Sequence, residues 1–255
     1  SCCSGGLGAL PKSGVSHFPH FQPVGEDGLL VEFEPVINRP VNRQVHRLAY
    51  VLEQESLVGV TEIVPAYRSL MVYFDPTLVE LEAVTAWVKP RARRLDKVKL
   101  PPPRLFLLPT VYGGEHGPDL EAVAQKAGMS VVELIDDFST RRYPVYCLGF
   151  LCGLAYLGEL PAALNLPRLA TPRTFMPRGS VGIAGGQAVV LPIDLPSGVH
   201  YLGRTFVTLY DPRHSPPTPI RPGDFIECPQ VLEEDARRWE NRPLEECLVE
   251  GAHDS

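Results

Sequence analysis

Two carboxylates and two adjacent glycines stand close together in the segment 112–120, which reads Tyr-Gly-Gly-Glu-His-Gly-Pro-Asp-Leu. Paired glycines let a backbone approach its neighbour closely. Glu115 and Asp119 precede a predicted helix, whose first N–H groups have no partner within the helix. Two interpretations follow: either carboxylate caps that helix, or Glu115 and Asp119 serve at a cleft as acid, base or ligand anchor.

A second cluster sets arginines among small residues. Guanidinium and amide groups are planar donors that suit a carboxylate or a phosphate, so this cluster fits an acyl or carbamoyl substrate. The alternative is a set of structural turns with arginines at the rim. We expect the glycine-rich segments near positions 113 and 185 to fold beside each other. The donors are Arg173, Arg178, Gln187 and Arg204, within Pro172-Arg173, the run 176–187 and Gly203-Arg204-Thr205.

Other catalytic and metal-binding patterns are weak in this sequence. Ser180 follows Gly179 and is a candidate nucleophile, but without a G-x-S-x-G motif a strand-initiating hydrogen bond is favoured. The run 182–186 lacks the lysine and spacing of a phosphate-binding loop. Neither H-x-x-x-H nor C-x-x-C occurs, so no metal site is predicted, and Cys147 and Cys152 are interpreted as small buried apolar residues.

Composition narrows the class of protein. A chain of 255 residues predicts two domains, and 27 prolines disfavour an all-helical fold. A net charge of −6 argues against nucleic-acid binding. The basic run 89–104 is interpreted as a solvated linker, with a phosphate-facing surface as the alternative. The sequence shows no apolar run of membrane-spanning length and no signal peptide, which predicts a cytoplasmic protein without a membrane partner.

The first hundred residues predict a small two-layer α/β domain over 23–100, after an irregular tail over 1–22. Helical spacing of apolar residues predicts a helix over 42–52, and Asp75-Pro76 predicts the start of a second helix whose buried face includes Leu78. Alternating and β-branched residues predict three strands, over 29–36, 58–64 and 69–74. The order β-α-β-β-α suits helices on an antiparallel sheet.

Three consecutive prolines, Pro101 to Pro103, mark the predicted domain boundary. Pro118 and Gly128 bracket one helix, and Ser130 with Glu133 opens another, for which Val132, Leu134 and Ile135 are available for burial. Short apolar segments separated by Gly and Pro then predict a closed β-barrel over 101–230, followed by a helix and tail over 231–255. The predicted strands cover 105–111, 145–151, 181–184, 189–191, 201–202, 206–210 and 225–228, and the last helix 232–241.

The motifs, taken in order, resemble the allophanate-hydrolase-subunit-1 family of carboxyltransferase type, which includes the B-type subunit of 5-oxoprolinase and a histidine-kinase inhibitor of the Kip type. The resemblance runs from about Gly28 to Glu227. It is carried by Val64-Pro65-Ala66-Tyr67, Tyr112-Gly113-Gly114-Glu115, Gly117-Pro118-Asp119-Leu120, Leu148-Gly149-Phe150, Ala155-Tyr156-Leu157-Gly158, Pro167-Arg168, Pro172-Arg173, Gly179-Ser180-Val181, Ile183-Ala184-Gly185, Gly203-Arg204-Thr205 and Pro222-Gly223-Asp224.

The resemblance implies an α+β fold with a cyclophilin-like barrel after the N-terminal domain. It implies a subunit of an ATP-dependent enzyme that opens 5-oxoproline to glutamate, or of a related amide-hydrolysing or carboxyltransferase complex. Its partners would be a homologous second subunit, of the allophanate-hydrolase-subunit-2 type, with or without a lactam-utilisation subunit. The site would comprise Glu115 and Asp119 as catalytic residues and Tyr112, Arg173, Gln187 and Arg204 as substrate contacts. The alternative is a non-catalytic module that inhibits a sensor histidine kinase.

This chain departs from the family pattern at several motif positions, which makes it a divergent member. Phe138 replaces a usual His, and Cys152 replaces the proline of a usual Pro-Gly-Phe. Ala188 stands in place of a usual threonine, and Val199 in place of a usual tryptophan. The imidazole, hydroxyl and indole that are missing are groups for proton transfer, hydrogen bonding and stacking, so an altered substrate or a loss of activity is compatible with the sequence.

Overall fold

The computed structural model describes residues 18–149, 151 and 153–249. Its helices are α1 (Arg39–Gln54), α2 (Leu81–Ala92), α3 (Leu120–Ala127), α4 (Val131–Ser139) and α5 (Glu233–Arg237). Its strands are β1 (His20–Val24), β2 (Gly28–Glu32), β3 (Val60–Pro65), β4 (Ser69–Phe74), β5 (Leu105–Leu107), β6 (Thr110–Tyr112), β7 (Tyr143–Leu148), β8 (Ala155–Leu157), β9 (Arg173–Met176), β10 (Ser180–Ala184), β11 (Gln187–Val190), β12 (Leu195–Ser197), β13 (His200–Thr205), β14 (Phe225–Glu227) and β15 (Leu248–Val249). No helix in these ranges is long and apolar enough to cross a membrane.

The N-terminal part packs α1 and α2 against an antiparallel sheet in the order β1-β2-β4-β3. Helix α1 begins where the Asn38 side chain accepts a hydrogen bond from the Val41 N–H at 2.9 Å, with Pro40 in the first turn. The buried side of α1 presents apolar side chains at helical spacing to the sheet. The predicted order β-α-β-β-α is confirmed, with one more strand at its start.

That additional strand corrects the predicted tail, because β1 includes residues 20–22 and pairs with β2 along its whole length. Residues 1–17 lie outside the described part. The predicted start of the second helix is also wrong. The Asp75 carboxylate accepts hydrogen bonds from the N–H and hydroxyl of Thr77, which makes a local turn, and α2 begins at Leu81. Leu78 is therefore exposed rather than on a buried helix face.

The second half of the chain forms a nine-stranded sheet in the order β15-β5-β14-β7-β8-β11-β10-β13-β6. A single strand over 105–111 is wrong, since Pro109 has no N–H and separates β5 from β6. The two strands nevertheless lie near opposite edges of the sheet. The N–H groups of Leu108 and Thr110 donate to the carbonyls of Glu227 (2.8 Å) and Pro229 (2.9 Å), so the edges meet and the sheet is curled.

Helices α3 and α4 lie as predicted. Gly128 ends α3 in a left-handed conformation with φ of +70°. Ser130 and Glu133 form a reciprocal capping box at the start of α4. Leu134 is buried, but Val132 is exposed, because its position on α4 faces away from the core.

Several short strands differ from the prediction. Residues 206–210 form no strand apart from an isolated bridge at Thr208. Strands β8, β9, β12 and β15 are additional, and α5 has five residues instead of spanning 232–241. Short, partly exposed strands of this kind carry little periodicity, and their pairing depends on segments distant in sequence.

The two halves have separate buried cores and meet across α1. Asn42 and His46 of this helix reach the Tyr146 carbonyl of β7. The basic run 89–104 is only partly a linker, since its first four residues belong to α2. At its other end, the Arg104 guanidinium binds the buried Asp224 carboxylate at 2.6 Å.

Candidate functional site

Asp119 stands at the N-terminal end of α3, and three donors hold its carboxylate. The two terminal nitrogens of Arg173 donate to its two oxygens at 2.8 and 2.6 Å, and the Tyr201 N–H donates at 2.7 Å. The side chain makes no cap bond to α3, so of the two interpretations the capping one does not hold for Asp119. The Asp119 side chain is 14% exposed and that of Arg173 is 32% exposed, so this charge-assisted pair is partly shielded from solvent, and it joins β9 to the start of α3.

Strand β13 brings the two predicted clusters together. Its Gly203 pairs with Tyr112 of β6, and its Tyr201 pairs with Gly182 of β10. The Gly113 N–H donates to the Leu202 carbonyl at 3.1 Å, one step further along the same strand. The segments 112–120 and 176–184 therefore flank β13 on its two sides, with Asp119 and Arg173 as a direct link.

Arg204 lies at the surface beside this link. Its Nε donates to the Arg178 carbonyl at 3.2 Å, and its guanidinium carbon lies 5.0 Å from the centre of the Phe206 ring. The guanidinium of Arg237 lies at the same distance from that ring. This stacking holds two cations on one aromatic side chain and leaves the Arg204 terminal nitrogens available to an anion.

Glu115, His116 and Glu233 form the group nearest to a metal site in the described ranges. Their ligand atoms all lie within 4.8 Å of one another. The buried His116 Nε2 is 3.3 Å from a Glu233 oxygen and 3.7 Å from a Glu115 oxygen. Hydrogen bonds from Arg237, and after them the nearby His116 ring, lower the pKa of Glu233. With Arg237 on Glu233, this arrangement works as an ion-pair network that leaves Glu115 projecting into solvent, with 78% of its side chain exposed.

Tyr112 points its hydroxyl away from this surface. The hydroxyl donates to the Cys228 carbonyl at 2.7 Å, and burial raises the pKa of the phenol well above its usual range. Phe138, the residue that replaces a usual His of the family, is buried 6.2 Å from the Tyr112 ring and 5.0 Å from the Tyr143 ring. The substitution therefore extends an aromatic core and lies behind the candidate site.

The remaining predicted residues either lie further from the Asp119–Arg173 pair or make hydrogen bonds that stabilise turns. Gln187 begins β11, which is separated from β6 by β10 and β13. The buried Ser180 hydroxyl donates to the Pro177 carbonyl at 2.6 Å, which favours the structural interpretation of this serine. The Arg178 N–H donates to the Asp194 carboxylate at 2.7 Å. Cys147 is buried, as predicted, and Cys152 lies outside the described residues.

Sequence reasoning missed a second group, on α1. Asn42 and His46 are buried one helical turn apart on a helix whose other buried residues are apolar. The Asn42 amide donates to the carbonyls of Ala66, Tyr67 and Tyr146, each at 3.1 Å. A polar pair at positions i and i+4 on an apolar helix face is the signal that would have revealed them.

The model of the carboxyltransferase domain, subdomain C and D, matches residues 19–220. The chain belongs to this family. It is 35% identical over 224 residues to the B-type subunit of 5-oxoprolinase from Bacillus subtilis, covering 84% of this chain and 93% of that protein. The B-type subunit of 5-oxoprolinase from Escherichia coli O157:H7 is also 35% identical, covering 80% and 92%.

Two solved structures have a fold similar to that of this chain. The crystal structure of TTHA0988 superposes with a TM-score of 0.69 at 32% identity, covering 80% of this chain, which spans 40% of that chain. The Kluyveromyces lactis urea carboxylase superposes with a TM-score of 0.68 at 19% identity, covering 93% of this chain and 24% of that one. At this identity the similarity establishes a shared fold and nothing more.

Proposed function

We propose that this chain is the B-type subunit of an ATP-dependent 5-oxoprolinase, which opens the ring of 5-oxoproline to give glutamate and acts only in an assembly with other subunits. The proposal is supported by the relatives of that name, which this chain matches over more than nine tenths of their length. The partners that we propose are a homologous C-type subunit of 5-oxoprolinase and a lactam-utilisation subunit.

The arrangement that supports the proposal is a partly shielded carboxylate–guanidinium pair, Asp119 with Arg173, beside the surface groups Glu115 and Arg204. Arg204 carries planar donors suited to the substrate carboxylate. Glu115 is the exposed carboxylate of the Glu115–His116–Glu233 group, so substrate can reach it from solvent. Asp119 and Arg173 are the other proposed catalytic and substrate-binding residues. Their ion pair also holds β9, α3 and β13 in position relative to one another. Tyr112, whose hydroxyl donates to the Cys228 carbonyl, and Gln187, which lies two strands away from β13, are not part of this proposed surface.

We also propose that the chain consists of two domains, over 23–100 and 101–230, the second a cyclophilin-like barrel followed by the C-terminal segment 231–255. The buried clusters, one in the first domain and two in the second, do not cross this division, and together with the curled sheet they support it. ATP belongs to the assembled enzyme in this proposal. The sequence has no Gly-rich loop with a following lysine to cradle phosphates.

Reconstitution with the two partner subunits tests the proposal, with glutamate formation from 5-oxoproline followed in the presence and absence of ATP. We expect turnover that needs all three subunits and ATP, and losses of about 100-fold or more on Glu115→Gln and Arg204→Ala. Arg213→Ala is the matched control, because Arg213 is an exposed arginine that pairs with Asp211.

Two outcomes would contradict the proposal. Full turnover by both variants would remove the assignment of Glu115 and Arg204. Absence of glutamate formation by a complete, stable assembly would remove the enzymatic function. In that second case, binding of the chain to a sensor histidine kinase with loss of kinase activity would support the inhibitory module instead.

A further inference from the structure

Three potential metal ligands meet at the start of α5: the carboxylates of Glu115 and Glu233 and the imidazole of His116. Glu115 and His116 belong to the short 3-10 turn Gly114–His116, which is far from Glu233 in sequence. One ligand atom of each residue lies within 4.8 Å of the other two. Because exposed carboxylates often lie close together without a metal ion, the surroundings of the imidazole decide whether this group is a site.

His116 supplies a buried nitrogen that no described group satisfies. The residue is 6% exposed, and its Nε2 makes no hydrogen bond within the described part of the chain. The Glu115 oxygen, at 3.7 Å, is too distant for one, and the Glu233 oxygen, at 3.3 Å, is not aligned with the ring nitrogen. A buried polar atom without a partner is costly. A cation bound by Nε2 and the two carboxylates would remove that cost.

The fold holds this imidazole in place. The His116 ring packs edge-on against the Phe206 ring, with centres 5.5 Å apart and planes at 82°. The His116 N–H donates to the Gly113 carbonyl at 3.1 Å, which closes the turn. A Cβ on Gly117 would overlap the Leu202 carbonyl oxygen, so the turn lies directly against β13. A ligand that is already fixed loses little conformational freedom when a metal ion binds.

The spacing of the ligand atoms suits tetrahedral coordination. With ligands roughly 2.0–2.1 Å from a tetrahedral zinc ion, neighbouring ligand atoms lie about 3.4 Å apart. The His116 Nε2 is 3.3 Å from the Glu233 oxygen and 3.7 Å from the Glu115 oxygen. The Glu115 side chain is 78% exposed, so it can rotate to complete the set. An imidazole with two carboxylates favours a zinc-like ion over Mg²⁺ and Ca²⁺, which prefer oxygen ligands alone.

Arg237 is the charge that competes with a metal ion. Its guanidinium donates to Glu233 Oε1 at 2.8 and 2.5 Å. Both side chains are largely open to solvent, and an exposed pair four residues apart on a helix contributes little to stability. Arg204 is a second cation nearby, stacked on the same Phe206 ring. These arginines lower the affinity for a cation, but the ion pair is weak enough for a coordinating metal ion to displace it.

We propose that Glu115, His116 and Glu233 bind one divalent transition-metal ion, of which Zn²⁺ fits best, through His116 Nε2 and an oxygen of each carboxylate. Three protein ligands leave a fourth position of the tetrahedron for water or a ligand oxygen, which is the arrangement of catalytic rather than structural zinc sites. The proposal goes beyond the proposed function, since it requires neither a partner subunit nor turnover.

Calorimetric titration of the metal-stripped full chain with ZnCl₂ tests this proposal. Cys2 and Cys3 are competing zinc ligands, so every chain in the titration carries Cys2→Ser and Cys3→Ser. We expect one zinc ion per chain. Loss of a direct ligand should cost at least as much as the roughly 10–100-fold that loss of an outer partner costs, so we expect about 100-fold weaker binding in His116→Gln and at least about tenfold in Glu115→Gln.

Two further variants distinguish metal binding from a surface ion-pair network. Arg237→Gln releases Glu233 and should tighten zinc binding severalfold, whereas equal or weaker binding would contradict coordination by Glu233. His214→Gln is the matched control and should leave zinc binding unchanged, because His214 is an exposed histidine whose Nδ1 lies 3.3 Å from an Asp211 oxygen. Glu115→Gln changes an exposed side chain, so it tests the site even where His116→Gln impairs folding.

X-ray absorption at the zinc edge identifies the donor atoms. We expect nitrogen and oxygen donors at about 2.0–2.1 Å and no sulfur at about 2.3 Å. Absence of zinc binding, sulfur coordination, or an affinity that both His116→Gln and Glu115→Gln leave unchanged would overturn the proposal. None of these results concerns glutamate formation by the reconstituted assembly, and failure of that assembly would leave the zinc titration of the single chain intact.

Discussion

The Arg173 guanidinium and the Asp119 carboxylate form a two-pronged ion pair, with hydrogen bonds of 2.8 and 2.6 Å, that joins β9 to the residue immediately before α3. The same carboxylate accepts the Tyr201 N–H of β13. One side chain therefore connects three elements that are distant in sequence, and its removal tests whether this connection stabilises the fold.

Asp119→Asn is expected to destabilise the chain by roughly 2 kcal/mol, because an amide cannot accept from both guanidinium nitrogens and leaves a partly shielded cation. Arg173→Gln is expected to cost a similar amount. Urea unfolding of the two single variants and the double variant measures the coupling, which should exceed roughly 1 kcal/mol. Additive losses would show that the two side chains do not act as a pair.

Gly179 and Gly185 offer a matched pair for the glycine-rich cluster, since both have positive φ, of +79° and +60°. A Cβ on Gly179 would lie 1.9 Å from the Thr205 carbonyl oxygen, whereas one on Gly185 would meet nothing within 4 Å. We expect Gly185→Ala to cost roughly 1 kcal/mol from backbone strain alone, and Gly179→Ala roughly 3 kcal/mol or more. Thermal unfolding checks the order, and similar losses for both would contradict the close approach of β13.

Local chemistry made part of this fold predictable. Ser130 and Glu133 encode the start of α4, and Gly128 encodes the end of α3, because caps depend on residues within one turn. Asp75-Pro76 predicted the wrong start for α2, because a local signal of this kind is ambiguous. The side chain of Asp75 can satisfy a turn as readily as a helix start, and only the packing of Leu81 and Val84 on the sheet decides between them.

The sequence predicted which residues belong to the candidate site better than it predicted which of them bind each other. The glycine and arginine motifs indicated that Asp119 and Arg173 belong to one surface, but no spacing rule predicts a bond between residues 54 positions apart. His46 was missed because its partner, the Tyr146 carbonyl, is 100 residues away, and the polar pair that His46 forms with Asn42 on the helix does not reveal that partner. Both sites depend on contacts between groups that are distant in sequence: two side chains in the first, and a side chain with a backbone carbonyl in the second.

Asn42→Asp tests the junction between the two cores. Asn42 is 3% exposed and donates to three carbonyl oxygens, so an ionised aspartate would lose its donors and face those oxygens with a negative charge. We expect a loss of roughly 3 kcal/mol at about pH 8, larger than that of Asn42→Leu.

The sign of the pH dependence follows from burial. Burial raises the pKa of such an aspartate above its value in the unfolded chain, so the penalty is present at high pH and fades as the pH falls through the folded-state pKa. Urea unfolding at about pH 5 and about pH 8 should show the Asp variant recovering relative to the Leu variant. A constant difference between the two variants would contradict this account.

The buried thiols of Cys147, Cys228 and Cys247 should resist alkylation in the native chain. Burial raises the pKa of each to about 12, and only the thiolate reacts, so at pH 8 roughly one thiol in ten thousand is reactive even when reagent can reach it. We expect iodoacetamide to leave their peptides unmodified under native conditions and to modify them fully in guanidinium chloride, as measured by peptide mass spectrometry.

Val58→Cys provides the internal control, because Val58 is 83% exposed and a thiol there should react in both conditions. If the three buried cysteines were modified in the native chain as fast as the thiol introduced by Val58→Cys, the core around β7 and β14 would be open to solvent, and the packing of the curled sheet would need revision.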